Sequence, residues 1–397
     1  MTEKNCDILV VGSGLTGIVA AYALSLLGLK IIIIEKKKYL FKNAVLSKNM
    51  KEDTRTTAIA EGSKEFLEEI KLWRSLSKFA EPIKQIKVID RKPINIIDFT
   101  NQKKFKNLGY IVKNNNFFLN VLNRLKKQKN IIIFDNTSIK KIDYSQNKIF
   151  CQCSNFKIKA KLLLACDGKN SAVRSMAQTP LYKKNYNENA LVVNFEHTIN
   201  HNNCAYEFFY RNGPLAILPM QKQTNFQSSL IWSNSKYFLK NLVLADENIF
   251  KNILEEKISK YVGNVVNIKS KQIFPLSAHI NYKFYENRLV YVGDSAHSVH
   301  PIAGQGWNLG LRDVKKIYFL IKEFQSLGLE IGTKQFCKSY NQKTYYDSYR
   351  LFQITDKLNS FFMLDNKITS IIRNIGFGII QKKPNLKKQI SNFAMGL

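Results

Sequence analysis

Apolar residues dominate the beginning of the chain in two successive patterns. Residues 7–11 (Asp-Ile-Leu-Val-Val) are typical of a fully buried parallel strand, after which residues 12–17 turn into a helix that reaches about Leu27. Lys30 to Glu35 predicts a second buried strand. The uncharged run from Ile8 to Leu29 could span a membrane by length alone, but its early glycines and its change of residue type favour a strand, a tight turn and a helix.

The next part of the pattern predicts helices and strands in alternation. Helical spacing covers Ser63–Leu76, alternation typical of a strand covers Lys84–Phe99, and Phe117–Lys129 has the pattern of an amphipathic helix. A buried strand is predicted at Ile131–Phe134, and Lys148–Ala165 indicates a hairpin that ends in another buried strand.

The second half of the chain changes character twice. From about Leu181 to Phe274, alternation with many aromatic residues predicts a mostly antiparallel sheet with one or two helices. Arg288–Val292 restores a buried strand, a helix begins at about Gly306, and helical spacing continues to the end. The sequence contains no internal repeat and no long flexible linker, so we expect these regions to pack as one unit.

The composition is that of a folded protein, because 45% of the 397 residues are hydrophobic, which supports a substantial core and excludes general disorder. The formal net charge is +31, but lysine is spread over the whole chain without a concentrated basic block. We therefore attribute the charge to a drift in the base composition of the encoding genome rather than to a dedicated polyanion-binding site, and we expect no specific binding of nucleic acid. The six cysteines lack the spacing of a metal site, and the N-terminus lacks a secretory signal. These features predict a reduced, cytoplasmic protein without a metal.

The turn between the first strand and the first helix carries a glycine-rich motif. Its residues are Gly12, Ser13, Gly14, Leu15, Thr16 and Gly17. Gly12 permits the tight turn, Gly14 lets a pyrophosphate approach the backbone, and Gly17 lets the helix pack closely on the strand. The helix N-terminus then faces the phosphates with free N–H groups, and Glu35 ends the second strand, where an acidic residue accepts hydrogen bonds from ribose hydroxyls. This unit predicts a dinucleotide site but does not distinguish FAD from NAD.

Two later motifs favour FAD. Each follows a predicted buried strand and therefore lies at the carboxyl edge of the sheet, where open α/β sheets bind ligands. The first motif contains Asp167, Gly168, Lys169, Asn170, Ser171, Ala172, Val173 and Arg174, and the second contains Gly293, Asp294, Ser295, Ala296 and His297.

Together with the longer segment GDSAHSVHPIAGQGWNLGLRD, these motifs resemble the class A flavoprotein aromatic hydroxylases, which share the para-hydroxybenzoate hydroxylase fold. Residues 53–58, 213–219 and 373–376 are most similar to the ubiquinone-biosynthesis monooxygenases of the 2-polyprenyl-6-methoxyphenol hydroxylase type. The resemblance spans nearly the whole chain. One departure is Ser295, where alanine is common in the family, but we expect a hydroxyl to be tolerated there.

The resemblance implies an α/β fold, with a Rossmann-like FAD-binding domain, a mostly antiparallel substrate domain and C-terminal helices. We expect residues 1–180 and 275–320 to form the FAD-binding domain, 181–274 the substrate domain, and 321–397 the helical region. Residues 82–100 are a candidate addition to the substrate domain.

Cofactor contacts follow from the same resemblance. The residues expected to bind FAD are Gly12, Gly14, Leu15, Thr16, Gly17, Glu35, Arg55, Asp167, Gly168, Arg174, Gly293, Asp294, Gly304, Gly306 and Asn308. Asp294 is expected at the ribityl or pyrophosphate region, Glu35 at the adenosine ribose and Arg55 near the isoalloxazine. The segment from Asp167 to Arg174 is implied to serve both FAD and NAD(P)H. The sequence has no second GxGxxG unit, so NAD(P)H is expected to visit transiently as electron donor.

The loop before the last long helix supplies the remaining candidates. Glycines at 304 and 306 let backbone N–H groups approach the pyrimidine edge of the flavin, and the positive end of the following helix stabilises negative charge there. The candidate catalytic residues are Arg55, Pro301, Gly304, Gln305 and Gly306. We interpret His297 as a residue that positions the loop rather than as an acid or base, and we also favour a structural role for His300. We expect Trp307 to have a packing role.

The implied reaction uses NAD(P)H, FAD and O2 to hydroxylate the ring of a polyprenylated phenol in ubiquinone biosynthesis. Such a reaction needs a dry pocket, for which Pro301 and the aromatic-rich strands near 206–210 and 217–232 are candidate walls. The alternatives are a double-bond reductase of the geranylgeranyl reductase type and a hydroxylase of another aromatic substrate. A basic FAD-binding protein that acts through membrane or nucleic-acid contact is an alternative of a different class.

The last 70 residues carry apolar residues at helical spacing, with lysine and arginine between them. This pattern fits a basic amphipathic surface on an anionic membrane, such as the inner face of the plasma membrane, or a contact within a ubiquinone-biosynthesis complex. It fits core packing equally well, because helical spacing does not reveal what the apolar side faces.

Overall fold

The computed structural model describes residues 2–38, 53–91, 96–100, 107–222, 225–364 and 366–396, and of residue 303 only the backbone. The strands are β1 Thr2–Val11, β2 Ile31–Ile34, β3 Thr56–Ala60, β4 Ala80–Ile83, β5 Gln85–Asp90, β6 Ile96–Thr100, β7 Gly109–Lys113, β8 Ile131–Phe134, β9 Ile139–Tyr144, β10 Ile149–Cys153, β11 Phe156–Ala165, β12 Leu181–His197, β13 Cys204–Tyr210, β14 Gly213–Met220, β15 Phe226–Ser235, β16 Val265–Asn281, β17 Tyr285–Glu286, β18 Leu289–Tyr291 and β19 His297–Ser298. The helices are α1 Leu15–Ser25, α2 Glu61–Glu69, α3 Trp73–Leu76, α4 Asn114–Leu125, α5 Ala172–Met176, α6 Lys236–Leu244, α7 Glu247–Val262, α8 Gln305–Ser326, α9 Lys334–Met363, α10 Lys367–Lys382 and α11 Pro384–Met395. Short 3-10 turns cover Ser77–Phe79, Gly293–Ser295 and Ile302–Gly304.

The first sheet is the parallel sheet that the N-terminal pattern predicts. Its strand order is β17-β18-β11-β1-β2-β8, and β18, β11, β1, β2 and β8 pair in parallel. The four isoleucines of β2 are all buried because this strand lies between β1 and β8. The predicted hairpin is present as β10 and β11, with β9 attached to it. Helix α1 contacts both α4 and α8, which completes the core on this side.

The second sheet is mostly antiparallel, as predicted. Its order is β19-β16-β12-β15-β14-β13-β5-β6, and the parallel exception is the β13–β5 pair. Strands β5 and β6 lie in the predicted strand Lys84–Phe99, whose residues 92–95 are outside the described part of the chain. Helices α6 and α7 cover one face of the sheet, where Leu239 and Phe250 pack against Leu191 and Trp232. The other face is turned toward the loop that precedes α8.

A small antiparallel sheet and the last helices complete the fold. Strand β7 lies between β3 and β4, and β3 contacts α8. Helix α9 packs on α8, and the end of α11 lies against the start of α2, where a Cβ on Gly62 would come within 2.4 Å of the Gly396 carbonyl oxygen. Among the described residues, no helix is both long enough and apolar enough to cross a membrane.

Candidate active site

Three turns that are far apart in the sequence meet at one edge of the first sheet. Strands β1, β11 and β18 are neighbours and run in parallel, so their carboxyl ends lead into the turns at Gly12, Asp167 and Gly293. Backbone hydrogen bonds continue past the strands, from Cys166 N to Val11 O at 2.8 Å and from Val292 N to Ala165 O at 3.0 Å. The structure therefore brings the three sequence motifs together.

Packing within the chain explains two of the three glycines in the first turn. Gly12 has a φ of +97°, and a Cβ there would lie 2.5 Å from the carbonyl oxygen of Cys166. A Cβ on Gly17 would lie 2.1 Å from the carbonyl oxygen of Gly12. Gly14 differs, because a Cβ there would meet no described atom within 4 Å. The space directly over Gly14 is open, which is what a pyrophosphate approaching the backbone needs.

The first turn of α1 is built to receive an anion. Gly14 is the N-cap residue, it provides no side-chain cap, and no acidic residue lies in the first turn. The N–H groups that follow therefore lack intrahelical partners and point, with the positive end of the helix dipole, into the open space. The Thr16 side chain lies close to both the third turn and α8. A Cβ atom on Gly293 would lie 3.1 Å from this side chain, and a Cβ atom on Gly310 would lie 3.2 Å from it. Leu15, beside it, packs against the core.

Glu35 lies where the sequence analysis expects the ribose partner. Its Oε2 accepts hydrogen bonds from the Ser13 backbone N at 2.9 Å and the Ser13 hydroxyl at 3.1 Å, and its Oε1 accepts one from Lys37 N at 3.0 Å. The buried carboxylate thus joins the end of β2 to the glycine-rich turn. Its contact with an adenosine ribose stays a prediction.

The second turn leaves polar capacity free toward the cleft. Asp167 Oδ2 accepts a hydrogen bond from Val173 N at 3.1 Å, whereas the buried Oδ1 has no hydrogen-bond partner among the described atoms. Gly168 has a φ of +80°, and a Cβ there would meet no described atom within 4 Å. A buried acceptor without a partner beside open space fits a ligand that donates a hydrogen bond.

Arg174 links the second and third turns. Its guanidinium donates to the Ser295 carbonyl at 3.0 Å and the Lys169 carbonyl at 2.7 Å, and it lies 3.2 Å from His279 Nε2. Burial, and next the charge of Arg174, lower the pKa of His279 to about 3, so the imidazole is neutral and its Nε2 accepts the hydrogen bond. Arg174 thus holds the cleft together, and a direct contact with FAD or NAD(P)H stays a prediction.

A buried carboxylate that the sequence analysis did not single out fixes the third turn. Asp313 Oδ2 accepts hydrogen bonds from Gly293 N at 3.0 Å and from His297 Nε2 at 2.7 Å. This geometry supports the interpretation of His297 as a positioning residue. The departure at Ser295 is accommodated, because its hydroxyl donates to the Ala165 carbonyl at 2.5 Å.

Asp294, in contrast, exposes its side chain to the cleft. The surrounding walls partly desolvate its carboxyl, which raises its pKa, while the nearby His297, Lys169 and Arg55 act in the opposite direction. A carboxylate at this position, without a hydrogen-bond partner from the described residues, is available to hydroxyl groups of a cofactor.

Arg55 lies at the rim of the cleft, immediately before β3. Its Nε and Nη2 donate to the two oxygens of Asp53, each at 2.8 Å, and this pairing raises the pKa of Arg55. The guanidinium lies over the ring of Phe274 at 5.1 Å from the centroid. Its side chain is 49% exposed, so the pair leaves a planar cation at the cleft mouth. Sequence reasoning named Arg55 but missed Asp53 as its partner.

The side-chain amide of Asn308 connects the loop before α8 to β3. Asn308 Oδ1 accepts a hydrogen bond from Ala60 N at 2.9 Å, and its Nδ2 donates to the Ala58 carbonyl at 2.8 Å and the Gly304 carbonyl at 3.2 Å. Gly304 has a φ of +61° and no side-chain cap, so the N–H groups that open α8, including that of Gly306, are free to face the cleft.

Other residues near this loop have structural contacts. Pro301 precedes the 3-10 turn at Ile302–Gly304, and Gln305 Nε2 donates to the Ala394 carbonyl of α11 at 2.9 Å. The Trp307 ring lies 5.0 Å from that of Phe117, which supports its packing role. His300 is fully buried, with its Nε2 3.7 Å from Glu188 Oε2.

The expectation that the aromatic-rich strands line the cleft is wrong for most of their rings. Tyr206, Phe208 and Tyr210 stack on the opposite face of the sheet, beneath α7. Successive residues of a strand point to opposite faces, so an aromatic run places only some of its rings on either side. Of the rings of β13, that of Phe209 packs toward Ile302 of the loop.

The residues present fit FAD. Open space over Gly14 and Gly168, the unpartnered Asp167 oxygen and the two uncapped helix N-termini together offer sites for phosphates, hydroxyls and an electron-rich ring edge. Within the described part of the chain, no group of His, Cys, Asp or Glu side chains could hold a metal ion, and all six cysteines are buried free thiols.

Known proteins resemble this chain over most of its length. The family described as "FAD binding domain" matches residues 5–326. The ubiquinone hydroxylase UbiL of Rhodospirillum rubrum is 29% identical over 395 residues, covering 99% of this chain and 90% of the relative. The 3-demethoxyubiquinol 3-hydroxylase of Escherichia coli is 24% identical over 100% of both chains.

Solved structures give the same fold. The p-nitrophenol 4-monooxygenase PnpA of Pseudomonas putida superposes with a TM-score of 0.79 at 15% identity, covering 98% of this chain and 97% of that one. PqsL of Pseudomonas aeruginosa, described as a probable FAD-dependent monooxygenase, superposes with a TM-score of 0.75 at 14% identity, covering 95% of this chain and 100% of that one. The chain belongs to the FAD-binding-domain family, and its fold is that of the flavin monooxygenases.

Proposed function

We propose that the chain is an FAD-dependent monooxygenase that uses NAD(P)H and O2 to hydroxylate the ring of a polyprenylated phenol in ubiquinone biosynthesis. The observation that carries this proposal is the meeting of three turns at one cleft, in a chain with near full-length relatives named ubiquinone hydroxylase and 3-demethoxyubiquinol 3-hydroxylase. These relatives favour ring hydroxylation over the reduction of isoprenoid double bonds.

FAD, when bound, supplies the redox chemistry that connects NAD(P)H and O2 to the ring. The chain binds its pyrophosphate at the N-terminus of α1, above Gly14, and its hydroxyl groups at Glu35 and Asp294. Asp313 keeps these groups in place by fixing the third turn to α8, and Arg174 does so by linking the second turn to the third.

The N-terminus of α8 stabilises negative charge at the flavin edge. Its free N–H groups and positive dipole end are held in place by Asn308, which ties the loop to β3. Ile302 of the loop packs with Phe209 and with Phe362 and Phe377 of the last helices. This apolar contact excludes water from one side of the reaction site.

The proposal is tested by oxygen consumption and product analysis with the purified protein. A polyprenylated phenol should stimulate NADH or NADPH oxidation, and mass spectrometry with labelled O2 should show one labelled oxygen atom on the ring. Deletion of the gene should lead to accumulation of the unhydroxylated quinone precursor. Saturation of the prenyl chain without oxygen uptake would support the reductase alternative, and polyanion binding without substrate-stimulated oxidation would support the different-class alternative.

We infer further that α10 and α11 rest on an anionic membrane. Helix α10 has two faces: Arg373 and Phe377 are buried, whereas an opposite stripe is exposed by 44 to 70%. The exposed stripe consists of Ile368, Ile371, Ile372, Ile375 and Ile379. Exposed lysines follow it at 382, 383 and 388. An apolar stripe next to lysines matches the boundary between acyl chains and anionic headgroups.

The placement of these helices favours delivery of a prenylated substrate. Phe377, on the inner face of α10, belongs to the same apolar cluster as Ile302 of the active-site loop, and α11 accepts the hydrogen bond of Gln305. A membrane-bound substrate would therefore have a short path to the cleft.

Vesicle binding separates this inference from simple surface exposure. Wild-type protein should sediment with phosphatidylglycerol vesicles and much less with phosphatidylcholine vesicles. Ile371→Glu should abolish sedimentation, whereas the control Leu327→Glu, which alters a residue 64% exposed elsewhere, should not. Wild-type protein that ignores both vesicle types would contradict the inference.

A further inference from the structure

Glu207 lies on the face of the second sheet that is turned toward the cleft. Its neighbour Phe208 packs in the core beneath α6 and α7, whereas Phe209 packs with Ile302 of the active-site loop. Because strand residues alternate between faces, Glu207 lies on the same face of β13 as Ala205 and Phe209. Glu207 is paired with Val88 of β5 and with Ala216 of β14.

 The pairing of β13 with β5 and β14 agrees with this orientation of Glu207. Val88, Ala216 and Phe209 all lie on the face away from α6 and α7, so Glu207 does too.

Residues at the same level of the sheet surround Glu207 with apolar side chains. Ala216 is opposite Ile231 of β15, and Ile231 is opposite Val192 of β12. Together with Val88 and Glu207, these residues form a row across the sheet. Among the residues of this row, Glu207 has the only ionisable side chain. A flat ring could lie against such a row, because its surface is apolar except at this carboxyl.

Three contacts show that this row borders the reaction site. Phe274 of β16 lies beneath the Arg55 guanidinium, and Asn194 of β12 donates to the Thr54 carbonyl at 2.6 Å. The pairing of β12 places these two contacts on either side of Val192. The third is the apolar cluster that Phe209 shares with Ile302, so the residues just before β3 and the loop before α8 both face the row that contains Glu207.

Within the described part of the chain, the Glu207 carboxyl has no charged partner on this face. Several ionisable groups there are paired with each other instead: Arg55 with Asp53, Asp90 with Arg373, and Glu196 with Lys269, while His300 lies close to Glu188. Lys113 of β7 lines, together with Lys269, a cavity of about 270 Å³ that also includes Thr54 and Asn194. Burial alone raises the pKa of Glu207 to about 8. An unpaired carboxyl among apolar neighbours lowers the stability of the fold, which points to a role in binding.

We propose that the Glu207 carboxylate binds the ring hydroxyl of the phenolic substrate and accepts its proton. The phenol O–H bond breaks, a new O–H bond forms on the carboxyl group, and the electron pair remains on the phenol oxygen. The ring becomes more electron-rich, which favours its hydroxylation, and no further reactant is needed. This inference rests on the proposed function and adds a residue that contacts the substrate.

The acidity of Glu207 suits this step. The ionised form of Glu207 is present toward the alkaline end of the neutral pH range. Phenols titrate at a pKa of about 10, so the pKa of Glu207 is closer to that of a phenol than the pKa of an ordinary carboxyl is. Hydroxylation should therefore increase with pH as Glu207 loses its proton, with a midpoint near 8.

The test compares Glu207→Gln and Glu207→Leu with the wild type, using the FAD-loaded protein and a polyprenylated phenol. Glu207→Gln keeps a hydrogen bond but removes the base, so kcat should fall by roughly 100-fold, without the rise toward alkaline pH and with little change in KM. Glu207→Leu should also raise KM and release hydrogen peroxide instead of product. The control Glu256→Gln changes an exposed carboxyl of α7 and should leave activity unchanged.

Stability separates this role from a structural one. The ionised carboxyl destabilises the fold: this effect is absent below the ordinary pKa of glutamate, grows as pH rises and is complete above about 8. Glu207→Leu should therefore raise Tm more at pH 8.5 than at pH 5, whereas a structural carboxyl would make Tm fall. Variants with wild-type kcat, KM and pH profile in an active enzyme would overturn the assignment of Glu207 alone. A wild-type protein that hydroxylates no phenol would overturn the proposed function as well.

Discussion

The dinucleotide cleft and the inner face of the second sheet are built in opposite ways. The cleft consists of backbone: three turns at neighbouring strand ends, glycines and free N–H groups, with Asp313 and Arg174 holding the turns together. The inner face consists of single side chains from several strands, among them Glu207, Asn194 and Phe274. The cleft should therefore be sensitive to an added Cβ atom, and the inner face to the loss of one functional group.

The largest effect is expected at the ion pair that attaches α10 to the second sheet. Arg373 Nε donates to Asp90 Oδ2 at 3.0 Å, and the two side chains are 1% and 4% exposed. Arg373→Ala leaves a buried carboxylate unpaired and should lower the free energy of unfolding by about 3–5 kcal/mol in urea titrations. Because the pair lies outside the cleft, FAD affinity should not change under folding conditions.

Lys141→Ala is the control for this prediction. It breaks a 2.7 Å pair with Asp143 in which the side chains are 65% and 52% exposed, and stability should change little. Equal losses in the two variants would show that the contact between α10 and the sheet does not depend on the buried pair.

A Cβ atom in the first turn should damage the cleft itself. Gly17→Ala places that atom 2.1 Å from the Gly12 carbonyl oxygen, so the backbone must move. We expect a loss of stability at the upper end of about 1–3 kcal/mol, together with loss of FAD during purification. Gly376→Ala is the control, because a Cβ there meets no described atom within 4 Å, and it should be neutral or slightly stabilising. A stable, flavin-containing Gly17→Ala protein would contradict the close packing of α1 on the turn.

Asp294 tests whether one exposed carboxylate in the cleft contributes to binding. Asp294→Ala removes a charged acceptor without breaking a contact within the described chain, so FAD affinity should fall by about 2 kcal/mol while Tm of the apoprotein does not fall. Calorimetric titration of apoprotein with FAD measures this loss. Stoichiometric FAD bound with wild-type affinity would contradict the assigned contact.

The smallest effect is expected at Gly14, and it isolates the ligand from the fold. No described atom lies within 4 Å of a Cβ at this position, so Gly14→Ala should fold with wild-type stability. The added methyl group would occupy the space for the pyrophosphate, and the Kd for FAD should rise about tenfold, or about 1.4 kcal/mol. An unchanged Kd would show that the pyrophosphate does not pass over Gly14.

The cleft could be predicted from the sequence because its chemistry follows local backbone geometry. Gly12, Asp167 and Gly293 each follow a strand whose apolar run is visible in the sequence, and parallel strands bring their carboxyl ends to one edge. The partner of Gly293 was not predicted. Asp313 lies 20 residues further along the chain, and only the packing of α8 brings its carboxylate to that turn.

The inner face could not be predicted, because it depends on which residues of distant strands are aligned. Glu207 meets Val88 through a parallel pairing whose register is not written in either segment. The aromatic run around it indicated the strand, but it misled about the face, since Tyr206 and Phe208 point away from the cleft. In α10, helical spacing identified the apolar stripe, but the burial of Arg373 against Asp90, 283 positions apart, decides which side faces the protein.

The central claim is that three distant turns form one site for a single FAD. Its most direct test is titration of the wild-type apoprotein with FAD, followed by the change in flavin fluorescence and by the absorption spectrum of the washed protein. We predict saturation at one FAD per chain, with a retained flavin spectrum. A protein that neither retains nor takes up flavin under gentle conditions would contradict the account.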